Sequence, residues 1–211
     1  MKISLIHPSR GRAGKAFETY LTWINLISFD NKIEHILSID LSDSDLENYK
    51  LLPFSKVIIN DNKNVVEATN IAAKEATGDI LVYLSDDFKC PQNWDELIIS
   101  FFENNEMPTL LKVDDCLQKF SSELITMPIM NRKLYEILGY FWNPLYEGSF
   151  VDNDLYHTCK KYIFNAPELK FEHLHYSIGK ALHDETYKRQ DNNFESGKLI
   201  FQKRKSLNFP I

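Results

Sequence analysis

The sequence predicts an α/β fold with a mostly parallel central sheet flanked by helices, and three observations predict it. Short apolar runs of strand length alternate with stretches of helical periodicity through the first half of the 211-residue chain. The most apolar run, residues 79–84, is closed by two adjacent carboxylates, Asp86 and Asp87. The composition is that of a globular chain, 44% hydrophobic and 26% charged, which sets aside disordered and fibrous proteins.

The elements follow in order. Residues 3–7 form a short apolar run ended by Pro8, as a buried strand would be. Residues 15–28 place Phe17, Tyr20, Leu21, Ile24 and Ile27 on one helical face. Residues 33–39 and 56–59 read as the second and third strands. Residues 64–76 carry Val65, Val66, Thr69, Ala72, Ala73 and Ala76 at helical spacing, with Gly78 as the stop. Residues 79–84 are the next strand. In the second half, 94–103, 131–138 and 152–162 read as helices, the middle one ended by Gly139. Residues 110–113, 124–130 and 171–177 read as strands, and the chain from Asp184 onward as polar helix. It ends near the basic run Lys203, Arg204 and Lys205, read as a solvated helix end. No linker or repeat divides the chain, so one domain is expected.

Composition also narrows function. A net charge of −6 argues against broad electrostatic binding of nucleic acid. No stretch approaches the roughly 20 apolar residues of a membrane span, and the apolar run after Met1 is too short for a signal peptide. Cys90, Cys116 and Cys159 are odd in number and lack CxxC spacing, so a reducing, cytoplasmic setting is expected.

Parallel sheets bind ligands beyond the carboxyl ends of their strands, which directs attention to residues 8–14, 40–45, 60–64 and 85–87. Asp86 and Asp87 repel one another unless a cation or solvent compensates, so they read either as a divalent-metal site or as a pair capping the next helix. His173 and His175 share one face of a strand and could complete a metal site with Asp87, or be ordinary half-buried histidines. Asp152 and Asp154 stand at a helix start, where a carboxylate serves as a general base or as a cap. Residues 9–15 are rich in glycine and basic residues but are not a P-loop, because Ala16 stands where a metal-binding Ser or Thr is required. Such a loop still suits a nucleotide's ribose or phosphates. Tyr140, Phe141, Trp142 and Tyr146 form an aromatic cluster that reads as packed core or as a platform for a sugar ring.

The order of these pieces carries a resemblance. ISLIHPSRGR resembles the opening of family-two glycosyltransferases, and ILSIDLSDSD their second-strand segment, whose Asp contacts the nucleotide base. NVVEATNIAAKEATGDILVYLSDD resembles the helix and strand that lead into an Asp-x-Asp metal motif, and CPQNWDEL its continuation. VDNDL resembles the later acidic motif, and together these cover most of residues 1–176. Ser85 replaces the first acid of the metal motif, and Val151 the usual Glu of the later one.

The resemblance implies a GT-A fold, Rossmann-like in its sheet, with a nucleotide-sugar half over about residues 1–115 and an acceptor half over about 116–211. It implies Mn2+ or Mg2+ as cofactor, with Asp87 as ligand and His175 or His173 beside it. Asp152 becomes the catalytic base. Substrate contacts fall on Pro8, Ser9, Arg10, Arg12, Asp40, Asn64, Asp86 and Trp142. The expected donor is a nucleotide sugar, with uridine the commonest base in the family, and the acceptor a glycan or glycoprotein hydroxyl. The rival readings are a nucleotidyltransferase that makes a nucleotide sugar, and a non-catalytic module that binds a nucleotide or glycan.

Overall fold

The computed structural model describes residues 1–28, 32–54, 56–103 and 105–211, and the backbone alone of Gln190. The chain runs β1 (Lys2–Ser9), α1 (Ala13–Asn25), β2 (Lys32–Asp40), α2 (Leu46–Leu51), β3 (Val57–Asn60), α3 (Val65–Lys74) and β4 (Ile80–Tyr83). It continues with β5 (Phe88–Lys89), α4 (Trp94–Phe102), β6 (Leu110–Asp114), β7 (Ile129–Asn131), α5 (Arg132–Leu138) and α6 (Val151–Thr158). The last elements are β8 (Ile163–Lys170), β9 (Glu172–His173), α7 (Glu185–Asn192) and α8 (Phe194–Ser206).

Seven strands form one sheet in the order β3-β2-β1-β4-β7-β6-β8, and β5 pairs with β9 in a small second sheet. Strand β7 runs antiparallel to both neighbours, while β1, β2, β3 and β4 are mutually parallel. The central strand β1 is buried from Ile3 to Ser9, as expected of a parallel strand covered on both faces. On one face Trp23 of α1 and Trp94, Ile98 and Phe102 of α4 pack against Leu5, Val82 and Leu111. On the other, Val66 and Ala72 of α3, Leu134 of α5 and Leu155 of α6 pack against Ile6, Leu81 and Met130. Among the described residues no helix is long and apolar enough to cross a membrane.

The structure departs from the sequence reading in several places. Helix α1 buries Ala13, Ala16 and Trp23, while Leu21 is exposed, because the helix is anchored by the Trp23 indole N–H to the Phe88 carbonyl (3.0 Å). Gly78 is not a helix stop, since α3 ends on Glu75. Its role is a close approach, because a Cβ there would lie 2.5 Å from Ser4 Oγ and 2.9 Å from the Lys2 carbonyl. Of the predicted strand 124–130 only residues 129 and 130 pair in the central sheet, as part of β7, and of the predicted strand 171–177 only 172 and 173 pair, in the small sheet. The edge strand β8 and the short helix α2 have no counterpart in the sequence reading.

The basic run near the C-terminus is also not wholly solvated. Arg204 is 8% exposed and lies inside the fold. Its Nε donates to Asp154 Oδ1 at 2.5 Å, and its Nη2 to the Thr158 hydroxyl at 3.0 Å and the Pro210 carbonyl at 2.8 Å. Asp154 also accepts from Asn143 Nδ2 and the Tyr146 hydroxyl, so it ties α8 and the aromatic cluster to α6. Breaking a buried ion pair from one side leaves an uncompensated charge, so Arg204→Ala is expected to cost about 3–5 kcal/mol. A thermal-unfolding midpoint unchanged from the parent would contradict this assignment.

Candidate active site

The parallel strands β1, β2, β3 and β4 end on one side of the sheet, and a cavity of about 590 Å³ opens beyond them. Every site residue proposed from the sequence lines it: Pro8, Ser9, Arg10, Arg12, Asp40, Asn64, Asp86, Asp87, Trp142, Asp152, His173 and His175. Their surroundings differ, and so does what each can do.

The acidic loop after β4 is held by its backbone. The Thr19 hydroxyl donates to the Asp86 carbonyl, the Leu174 amide to that of Asp87, and the Trp23 indole to that of Phe88. This fixes the backbone of the loop that carries both carboxylates. Asp87 Oδ2 accepts from the Tyr187 hydroxyl at 2.6 Å and lies 3.5 Å from His173 Nε2. Burial alone would raise the Asp87 carboxyl, but the His173 imidazole and the Tyr187 hydroxyl outweigh it and hold it well below the usual carboxylate range. Asp87 Oδ1 and His173 Nδ1 are buried with no hydrogen-bond partner among the described residues.

Those orphaned atoms are the test of whether a metal fits. Among the described residues no three His, Cys, Asp or Glu side chains converge as a cage. An ion would therefore take Asp87 and His173 from the protein and its other ligands from phosphate and water, the habit of Mg2+ in nucleotide sites. His175 lines the same cavity, but its Nδ1 is engaged by the Ser177 amide and hydroxyl, and burial lowers its basicity. The geometry thus brings His173, not His175, against Asp87.

Asp152 does not cap α6. The N-cap is Phe150 in a left-handed conformation with no side-chain cap bond. Asp152 Oδ1 accepts the adjacent Asn153 amide, at 3.0 Å, and burial raises its carboxyl above the ordinary range. A carboxylate with spare lone pairs and a raised pKa on a cavity wall suits proton abstraction. Asp154, its partner in the sequence motif, is consumed by Arg204.

Near the β1 end, Arg10 pairs with Asp40, and the Ser42 amide donates to Asp40 Oδ1 at 2.6 Å. Burial raises the Asp40 carboxyl, but the Ser42 amide and Arg10 outweigh it and lower it overall. The amides of residues 11–13 are all used within the protein: Gly11 to Asp43, Arg12 to the Tyr49 hydroxyl and Ala13 to Asp45. This loop therefore presents no open nest of amides to a triphosphate. Asn64 caps α3 through the Glu67 amide, and Trp142 packs edge-on to Tyr83 in the core while touching the cavity floor.

Sequence reasoning read α7 as polar helix but missed its place at the site. Arg12 makes a bidentate pair with Asp184 (2.6 and 2.7 Å), its guanidinium stacks 4.7 Å over the Tyr187 ring, and the Thr186 hydroxyl donates to the Arg10 carbonyl. These partners lie more than 170 residues apart along the chain, so only the fold makes them neighbours.

Comparison with known proteins agrees with this architecture. The family model described as Glycosyl transferase family 2 matches residues 30–146, more than half of the chain. No curated protein sequence matches it. In structure it is similar to S. aureus TarS in complex with UDP, at 14% identity and TM-score 0.63 over 81% of this chain and 59% of that one. It is similar to the mannosyltransferase PcManGT of Pyrobaculum calidifontis, in complex with GDP-Man and Mn2+, at 14% identity and TM-score 0.64 over 83% and 57%. It is also similar to Mycobacterium tuberculosis glucosyl-3-phosphoglycerate synthase in complex with Mn2+, UDP and phosphoglyceric acid, at 16% identity and TM-score 0.61 over 93% and 78%. The chain thus spans less than two thirds of the first two proteins. At these identities the likeness is one of fold, and the fold is GT-A.

Proposed function

The chain belongs to glycosyl transferase family 2, and from that premise we propose that it moves a sugar, with inversion and metal dependence, from a uridine-diphosphate sugar to a hydroxyl of a glycan or glycoprotein. The observation that carries this reading is Asp87, a buried carboxylate beside His173 with one oxygen that no described residue bonds, on the same cavity as Asp152. Residues up to about 115 hold the nucleotide sugar, and residues from about 116 hold the acceptor.

Asp87 and His173 would hold Mn2+ or Mg2+, and the ion would supply positive charge beside the diphosphate leaving group. Asp40, with Arg10 and Ser9, receives the nucleoside, and Arg12 faces the phosphates. Asp152 takes the proton of the acceptor hydroxyl. The resulting oxygen bonds to the anomeric carbon as the bond from that carbon to the diphosphate oxygen breaks. Trp142 contributes an edge to the acceptor side. The nucleotidyltransferase alternative is disfavoured by the residue 11–13 amides, already bonded to Asp43, Tyr49 and Asp45.

The reading is tested by incubating the protein with UDP-glucose, UDP-GlcNAc or GDP-mannose and Mn2+, and measuring free nucleoside diphosphate with and without a glycan acceptor. Release from a uridine sugar, removed by chelation, is the expected result. Formation of a nucleotide sugar from a sugar phosphate and a triphosphate would replace this reading with the alternative.

A further inference from the structure

Two hydrogen-bond chains converge on Asp86 from inside the sheet. Its Oδ1 lies 2.8 Å from His7 Nε2, and its Oδ2 accepts the Ser9 hydroxyl at 2.8 Å. Behind His7 stands His35, whose Nε2 is 2.9 Å from His7 Nδ1. Behind Ser9 stands the Tyr49 hydroxyl at 2.6 Å, which itself accepts the Arg12 amide at 3.1 Å.

The directions follow from what each atom can do. A carboxylate only accepts, so His7 Nε2 carries a proton. His7 Nδ1 and His35 Nε2 share one further proton between them. Ser9 spends its one hydroxyl hydrogen on the Asp86 carboxylate, so the Tyr49 hydroxyl donates to Ser9. Both chains therefore point their donors at one carboxylate, which is 5% exposed and lines the donor cavity.

The imidazoles are not what packing alone would place there. His7 and His35 are 0% and 2% exposed, on adjacent central strands, where Ile6, Ile36 and Leu37 are buried beside them. The arrangement leaves His35 Nδ1 buried with no partner among the described residues, a cost that an apolar side chain of similar size would avoid. Burial, with the neighbouring His7, also keeps His35 neutral.

We infer that His7 and His35 are positioning residues for the donor, locking Asp86 so that its remaining lone pairs receive a hydroxyl of the donor's ribose. The inference rests on the glycosyltransferase reading, and it goes beyond it by giving a task to two buried side chains that touch no substrate.

Calorimetric titration separates the possibilities, with UDP, GDP and their 2′,3′-dideoxy analogues in the presence of Mn2+. His7→Leu is expected to weaken binding of the natural nucleotide about tenfold or more, the range for losing a hydrogen bond to a charged group. His7→Gln, which keeps a donor for Asp86, should stay within about threefold. The dideoxy analogue lacks the hydroxyls that Asp86 would receive, so parent and His7→Leu should bind it equally. A merely structural role would weaken both ligands alike, and that result, or no loss for either, overturns the inference. If His7→Leu does not fold, His35→Leu decides by the same comparison of natural and dideoxy nucleotide. A parent protein that binds none of the nucleotides would overturn the donor-site reading itself.

Discussion

Replacing Asp152 by asparagine is expected to lower the rate of transfer by about 10²–10⁴, the range for loss of a general base. The change keeps shape and size but removes the charge and the basic lone pair. Nucleotide affinity should be nearly unaltered, because Asp152 belongs to α6, away from the β1–β4 strand ends where the nucleoside is placed. Among the described residues its side chain accepts from neighbouring backbone and from no distant side chain, so stability should change little as well. The pH profile gives an independent sign. Burial raises the Asp152 carboxyl, and only the deprotonated form accepts a proton. The rate should therefore fall, as pH drops, at a higher pH than an ordinary carboxylate would give. In Asp152→Asn that acid limb should be gone from whatever residual rate persists. Parent-like turnover in the variant would remove Asp152 from the role.

Replacing Asp87 by alanine has the second largest expected effect, a loss of transfer on the order of 10² or more, comparable to removing one electrostatic stabiliser of a leaving group. Asp87 is the residue on which Tyr187, His173 and the Leu174 backbone converge. Without it the metal loses its protein carboxylate, and added Mn2+ should no longer strengthen nucleotide binding. The Tyr187 hydroxyl would lose its acceptor, so a modest fall in thermal stability should accompany the change. His175→Ala should be far milder than His173→Ala, since His175 is occupied in capping the turn at residues 176–178. Equal losses from the two histidine variants would reverse that assignment.

The parts of this account legible in the sequence are those written in local periodicity. The alternation from β1 to β4 and the placement of Asp86 and Asp87 just past an apolar strand can be read from a few consecutive residues. Once strands are parallel, their carboxyl ends must share one side, and so Ser9, Asp40 and Asp87 meet. The missed features depend on distant partners. Tyr187 looks like one aromatic in a polar helix until the fold brings it to Asp87, 100 positions earlier. Asp154 and Asp152 are indistinguishable in the motif, and only Arg204, 50 residues on, separates a structural acid from a free one. His7 sits in an apolar run and reads as a strand residue, because its partners His35 and Asp86 come from two other strands' neighbourhoods. Strand β8 is an edge strand with only Ala166 and Leu169 buried, too sparse a pattern to announce a strand.

The central claim is that this cavity binds a nucleoside diphosphate through a metal held by Asp87. Calorimetric titration of the parent protein with UDP, with and without Mn2+, tests it most directly. The account predicts binding that appears or strengthens markedly with the metal and loses that dependence in Asp87→Ala. No binding of UDP, GDP or dTDP under either condition would contradict it.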